Sequence, residues 1–153
     1  MRPGVRIGVD VGTVRIGVAR SDPHGMLATP VETVTRGAGD IDRIRALALE
    51  IEAIEVIVGL PLALSGRETA STADARSFAS ALASRIDVPV RVVDERLSSV
   101  SANSALRASG RTAKNSRSVV DQVAAVIILQ HALDFERSAS LAPGAVVDSQ
   151  EGL

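Results

Sequence analysis

The apolar positions of the chain fall into short runs near the N-terminus and into helical spacing further on. Three segments, at residues 5–10, 15–21 and 26–35, predict three strands, and the short link between the first two predicts a hairpin. The all-apolar run at 56–59 is typical of a strand covered on both faces, and 90–94 predicts another buried strand. We therefore expect five strands.

Helices are predicted between and after the later strands, because apolar residues there recur every three or four positions. Asp40 is the expected N-cap of the first helix. A three-strand antiparallel meander followed by strand–helix alternation predicts an α/β fold, a five-stranded mixed sheet with helices on both faces. This pattern matches the ribonuclease H-like fold. The predicted helices span residues 41–51, 70–86, 97–108 and 118–133.

The length of 153 residues allows one domain with a sizeable core, which we place at residues 1–137. A hydrophobic fraction of 46% and a mean hydropathy of +0.22 favour folding over disorder. Residues 138–153 show no clear pattern and are predicted to be a disordered tail. No apolar run approaches the roughly 18 residues of a membrane span, and the N-terminus shows no signal-peptide pattern. We therefore expect a cytoplasmic protein with no membrane partner.

The residue types that bind metals or act as nucleophiles limit the possible chemistry. Cysteine is absent and there are two histidines, His24 and His131, so thiolate zinc sites and Cys-His or Ser-His-Asp arrangements are excluded. We interpret both histidines as structural or solvated residues. Any metal must then be held mainly by carboxylates, which favours the hard ions Mg²⁺ or Mn²⁺.

Three acidic residues stand where such a sheet would form a site. Asp10 ends the first strand beside a glycine-containing turn, Glu95 ends the fifth, and Asp121 lies in the first turn of the last predicted helix. The carboxyl ends of the central strands share one edge, where α/β sheets form binding crevices. Clustered carboxylates at that edge can hold two divalent ions, which is the chemistry that phosphodiester hydrolysis needs.

Each acid also has a structural interpretation that the residues alone leave open. Asp10 could bond its own backbone in the turn, and Glu95 could pair with the arginine that follows it. Asp121 has the spacing of a capping box with Ser118 and could cap the last helix. Asp94 competes with Glu95, because alternation directs only one of two adjacent strand residues toward the site.

Positive charge is concentrated in residues 97–120, although the net charge of the chain is −1. This segment has no acidic residue, and it is either a solvated loop or a nucleic-acid contact. Tryptophan and tyrosine are absent and there are two phenylalanines, so aromatic base stacking cannot carry recognition of a nucleic acid. Phosphate contacts, shape and metal would have to do so. The basic residues of this segment are Arg107, Arg111, Lys114 and Arg117.

Four motifs resemble the YqgF/RuvX family, bacterial ribonuclease H-like proteins described as Holliday junction resolvases and as pre-16S rRNA processing nucleases. They extend over residues 5–135, and four in order at this spacing are specific. The matching pieces are GVDVGTVRIGVARSD at 8–22, VIVGLPLALSG at 56–66, VDERLSS at 93–99 and DQVAAVIILQ at 121–130.

The resemblance implies which residues form the site. It makes Asp10, Glu95 and Asp121 the catalytic acids that hold two Mg²⁺ or Mn²⁺ ions, and it selects Glu95 over Asp94. Residues near these acids are expected to contact the substrate, together with the basic segment. The expected substrate-binding residues are Thr13, Arg15, Arg96, Arg111 and Lys114.

The resemblance also implies a hydrolase, a nuclease that cleaves phosphodiester bonds with carboxylate-bound divalent metals. We expect it to process the 5′ end of pre-16S rRNA in ribosome biogenesis. The alternative is a Holliday junction resolvase on branched DNA in recombination and repair, which would be a homodimer because it cuts two strands symmetrically. A remote alternative is an actin-like nucleotide-binding protein, whose first hairpin has the same Asp-x-Gly-Thr pattern. A binding-only scaffold with a relic site is disfavoured by the intact set of three acids.

Overall fold

The computed structural model describes residues 1–95 and 113–147, with side chains from residue 120 onward in the second range. The described residues form six strands and three helices. In chain order these are β1 (Val5–Val11), β2 (Arg15–Ser21), β3 (Ala28–Thr35), α1 (Asp40–Glu50), β4 (Ala53–Leu60), α2 (Ala70–Ala83), β5 (Val90–Asp94), α3 (Ala113–Ala139) and β6 (Ala145–Val146).

The strands form one mixed sheet in the order β3-β2-β1-β4-β5-β6. β1, β2 and β3 make the predicted antiparallel meander, and β4 and β5 run parallel to β1. The α/β fold class is confirmed, but the count of five strands is wrong by one. The sixth strand, β6, pairs antiparallel with the edge of β5 and lies in the segment predicted to be a disordered tail. Two residues show no periodicity, so this strand depends on backbone pairing with an open edge.

Helices cover both faces of the sheet, as predicted. Residues such as Val9 and Val58 form a core with α1 and α2 on one face, while Ile57 packs with Ile128 and Leu129 of α3 on the other. Successive side chains of a strand point to opposite faces. Covering both faces therefore explains why the central strands are apolar at nearly every position.

The first helix begins one residue earlier than its predicted cap implies. Its N-cap is Gly39, whose φ of 95° lies in the left-handed region that glycine adopts without strain. Asp40 is instead the first helical residue, and its carboxylate accepts hydrogen bonds from the backbone N–H groups of Gly37 and Ile41. The prediction of Asp40 as the N-cap is therefore wrong by one position.

The last helix is longer than predicted and lies unusually close to the sheet. It begins at Ala113 and ends at Ala139, whereas the predicted helix at 97–108 lies outside the described residues. Glycines make the close approach possible, because a Cβ on Gly17 would lie 1.8 Å from the carbonyl oxygen of Asp121, and one on Gly8 would lie 2.7 Å from the Cβ of Leu129. No helix within the described parts of the chain is long and apolar enough to cross a bilayer.

Candidate active site

Asp10 faces α3 from the central strand of the sheet. It lies directly opposite Gly17 of β2 in the antiparallel pairing of β1 and β2. Paired residues share a face, and the backbone of Asp121 lies against Gly17 on that face. The carboxyl group of Asp10 is consequently directed toward the part of α3 that contains Asp121.

Glu95 enters the same space from the end of β5. Its backbone N–H donates to the carbonyl oxygen of Leu60 at 3.2 Å, and the residue is 7% exposed. The carboxyl group lies above Gly59, where a Cβ would be 2.2 Å from Glu95 Oε2. Asp94, by contrast, is exposed. The structure therefore brings Glu95 rather than Asp94 to the face that carries Asp10.

Asp121 reaches the site from the third turn of α3. The predicted position in the first turn is wrong, because the helix begins at Ala113. For the same reason the capping-box interpretation of Ser118 to Asp121 is wrong, since a cap must stand at the helix start. The Asp121 carboxylate accepts a hydrogen bond from Arg15 Nε at 2.8 Å, and this ion pair joins α3 to the beginning of β2.

The electrostatics of the site show that its carboxyl groups repel one another. Burial raises the pKa of Asp10 and the charge of Asp121 raises it further, while a hydrogen bond with Glu95 lowers it. Burial also raises the pKa of Glu95, followed by the charge of Asp10, the hydrogen bond between the two groups and the charge of Asp94. A proton held between Asp10 and Glu95 thus relieves the repulsion in a poorly solvated place.

The donor atoms of this site fit a hard divalent cation in part. Glu95 Oε2 is buried without a hydrogen-bond partner among the described residues, and a cation would satisfy it and replace the proton between the two carboxyl groups. Asp10 and Glu95 therefore fit as a pair of ligands. Nowhere in residues 1–95 and 120–147 do three Asp, Glu or His side chains form a group that could hold a metal. Asp121 is engaged with Arg15, so its part in metal binding stays a prediction.

The predicted substrate-binding residues are placed unevenly. Thr13 is exposed in the turn between β1 and β2, and Arg15 begins β2. Arg96 and Arg111 lie outside the described residues, as does the side chain of Lys114, whose backbone belongs to the first turn of α3. Both histidines are exposed, in agreement with their interpretation as solvated residues.

Sequence reasoning missed Arg36, which supports the turn beside the site. Its guanidinium donates to the carbonyl oxygen of Gly12 at 2.8 Å and makes two hydrogen bonds to Asp74, at 2.9 and 3.1 Å. Its backbone N–H donates to the carbonyl oxygen of Val14 at 2.9 Å, and its side chain lies over the ring of Phe78. The predicted meander was the signal that could have found Arg36, because in such a meander the end of β3 lies beside the turn between β1 and β2.

Comparisons with known proteins identify the family to which the chain is similar. The family model described as "RuvX: Holliday junction resolvase" matches residues 4–135. A "Putative pre-16S rRNA nuclease" of Clavibacter michiganensis subsp. michiganensis is 63% identical over 150 residues, covering 96% of this chain and 93% of that protein. A protein of the same name from Leifsonia xyli subsp. xyli is 62% identical, covering 99% of both chains.

A solved structure gives the fold independently. It is entitled "T. thermophilus RuvC in complex with Holliday junction substrate", has a TM-score of 0.57 and 19% identity, and covers 92% of this chain and 99% of its own. At this identity the likeness concerns the fold, and it supports the ribonuclease H-like architecture predicted from the order of strands and helices.

Proposed function

This chain belongs to the RuvX family, and from that premise we propose that it is a metal-dependent nuclease that processes the 5′ end of pre-16S rRNA in the cytoplasm. Two relatives that are more than 60% identical over nearly their whole length are named for that RNA. This likeness favours rRNA processing over the junction-cleaving role that the family description names. It also favours a nuclease over the actin-like alternative.

The observation that carries the proposal is the pair of carboxyl groups formed by the partly buried Asp10 and the buried Glu95. Asp10 and Glu95 lie close enough to share a proton, and Glu95 Oε2 is buried without a partner among the described side chains. Placing like charges close together where water is excluded costs folding free energy unless a ligand compensates for their repulsion. Perturbed carboxyl groups of this kind are typical of catalytic sites.

The residues of this chain would perform the following roles. Asp10 and Glu95 would hold the ion from the sheet, and Asp121 would join them from α3. Held by these residues, Mg²⁺ or Mn²⁺ would supply the chemistry that phosphodiester hydrolysis needs, namely activation of water and stabilisation of the leaving oxygen. Gly17 and Gly59 allow the Asp121 backbone and the Glu95 carboxyl group to lie close to the sheet, on the face that carries Asp10. The exposed side of the turn at Thr13 leaves room for a nucleic-acid backbone.

Cleavage assays on two substrates test this function. A pre-16S 5′-end RNA and a four-way DNA junction are incubated side by side with Mg²⁺, with Mn²⁺ and with EDTA. We expect cleavage of the RNA with either ion and none with EDTA. Preferential cleavage of the junction, together with a dimeric mass by light scattering, would support the resolvase alternative. Equal cleavage in EDTA contradicts the role of the metal.

The variant Asp10→Asn tests the assignment of the site. We expect its activity to fall by at least about 100-fold, since even indirect partners of a metal site cost 10–100-fold. Its melting temperature should stay equal or rise, because the substitution removes a charge that repels Glu95 and Asp121. Asp42→Asn is the matched control, because Asp42 is an exposed acid of α1 that pairs with Arg85. Unchanged cleavage by Asp10→Asn would refute the assignment.

A further inference from the structure

The ion pair between Arg15 and Asp121 occupies a carboxylate that the proposed metal site requires. The distance from Arg15 Nε to Asp121 Oδ2 is 2.8 Å, and the two side chains are 34% and 18% exposed. Of the described residues, Asp121 is the one to which the Arg15 guanidinium donates, and it does so through Nε alone. The two terminal nitrogens of the guanidinium are therefore available to another acceptor.

A phosphate of the substrate is the acceptor that competes best for Arg15. A planar guanidinium binds phosphate through two parallel hydrogen bonds, whereas it binds Asp121 here through one. A divalent cation, in turn, competes for the Asp121 carboxylate, because the guanidinium and the cation neutralise the same charge. Phosphate and cation thus each favour the state in which the ion pair is broken.

We propose that Arg15 is a positioning residue that couples the binding of nucleic acid to the binding of the divalent cation. A phosphodiester draws Arg15 away from Asp121 and leaves the carboxylate for the ion, so the site acquires its third ligand when substrate is present. The coupling is reciprocal, because each ligand must change the affinity for the other by the same factor. This inference rests on the proposed function and names a regulation of the same site.

The fold does not depend on this ion pair to keep α3 in place. Gln122 Nε2 donates to Thr33 Oγ1 at 2.9 Å, and the helix backbone rests against Gly17. Removing the guanidinium should therefore leave Asp121 near Asp10. A partly exposed ion pair of this kind contributes about 0–1 kcal/mol to the stability of the fold.

Metal binding without nucleic acid is the first test. Titration of Mn²⁺ into the full chain, followed by the electron paramagnetic resonance signal of the free ion, is compared for the parent protein, Arg15→Gln and Arg15→Lys. We expect Arg15→Gln to bind Mn²⁺ about tenfold more tightly, because Asp121 is no longer neutralised. Arg15→Lys keeps the charge and should stay near the parent. Arg20→Gln, a change of equal charge further along β2, should leave the affinity unchanged.

Nucleic-acid binding is the second test. Fluorescence anisotropy with a short labelled RNA duplex is measured in EDTA and in Ca²⁺, and a gel confirms that the RNA stays intact. The parent should bind the duplex about tenfold more tightly in Ca²⁺ than in EDTA, and this ratio should approach one in Arg15→Gln.

The outcomes separate this inference from the function on which it rests. If the parent binds Mn²⁺ and Arg15→Gln binds it equally or more weakly, the coupling is overturned while the metal site stands. If neither protein binds Mn²⁺, the proposed function fails and the coupling fails with it. Circular dichroism of each variant confirms that it is folded, so that a loss of binding reports on the site.

Discussion

Gly17 controls how closely α3 approaches the sheet, and replacing it by alanine tests the geometry of the site. The new Cβ would lie 1.8 Å from the carbonyl oxygen of Asp121, whereas real Cβ atoms almost never come within 3.0 Å of another heavy atom. The helix must therefore move outward by at least about 1.2 Å. The obstacle is backbone on both sides, so a side-chain rotation cannot absorb the displacement.

The expected cost follows from overpacking of a core. Insertion of a methyl group into a well-packed contact typically costs 1–3 kcal/mol, and we expect about 2 kcal/mol for Gly17→Ala. For a protein of this length that corresponds to a fall in melting temperature of about 4–8 °C. Because Asp121 moves away from Asp10, cleavage should fall by about 100-fold at temperatures where the variant is still folded.

Thermal melting, together with urea denaturation and cleavage assays at 25 °C, measures these effects. Gly8→Ala is the matched control, because its Cβ would also meet α3, but at 2.7 Å from Leu129, two helical turns beyond Asp121. It should destabilise the fold with a smaller loss of cleavage. A Gly17→Ala protein with the melting temperature and the activity of the parent would refute the inferred approach of α3 to the sheet.

Three further predictions concern the surroundings of the site. The hydrogen bonds from Arg2 lower the pKa of Glu136 from 4.5 to about 2, so the contribution of this ionised carboxylate to stability is complete above pH 4.5 and is lost as the pH falls toward 2. The urea midpoint of the parent should therefore fall more steeply between pH 4.5 and pH 2 than that of Glu136→Gln. Parallel curves for the two proteins would contradict this. Arg36→Gln should lower kcat about tenfold with little change in KM, because the turn at Gly12 loses the hydrogen bond that supports it. Arg36→Lys should restore part of the rate. A change in KM alone would indicate that Arg36 contacts the substrate instead. Thr69→Ala should lower the free energy of unfolding by about 1 kcal/mol, because it removes the capping box of α2, and cleavage per folded molecule should stay unchanged. An unchanged urea midpoint would show that the cap is dispensable.

Local pattern carried much of the fold. The apolar runs predicted β1, β2 and β5 within one residue of their observed bounds and the second half of β4, because a strand covered on both faces must be apolar at successive positions. The meander and the later strand–helix alternation then predicted the mixed sheet. They also predicted that three acids lie toward one edge of it. β6 could not be predicted in this way, since two residues have no period and pair only because β5 leaves an edge open.

The amino-acid sequence by itself determined the class of the fold and the family, and it predicted a carboxylate site, because these depend on residue types and on their local spacing. The tertiary structure alone decided how the acids meet. Asp121 is 106 positions from Arg15 along the chain, yet their side chains form an ion pair. Asp121 stands in the third turn of α3 and not at its start. Such contacts depend on how closely a helix can approach a sheet at a glycine. That distance is set by tertiary packing, so the periodicity of a local sequence segment cannot predict it.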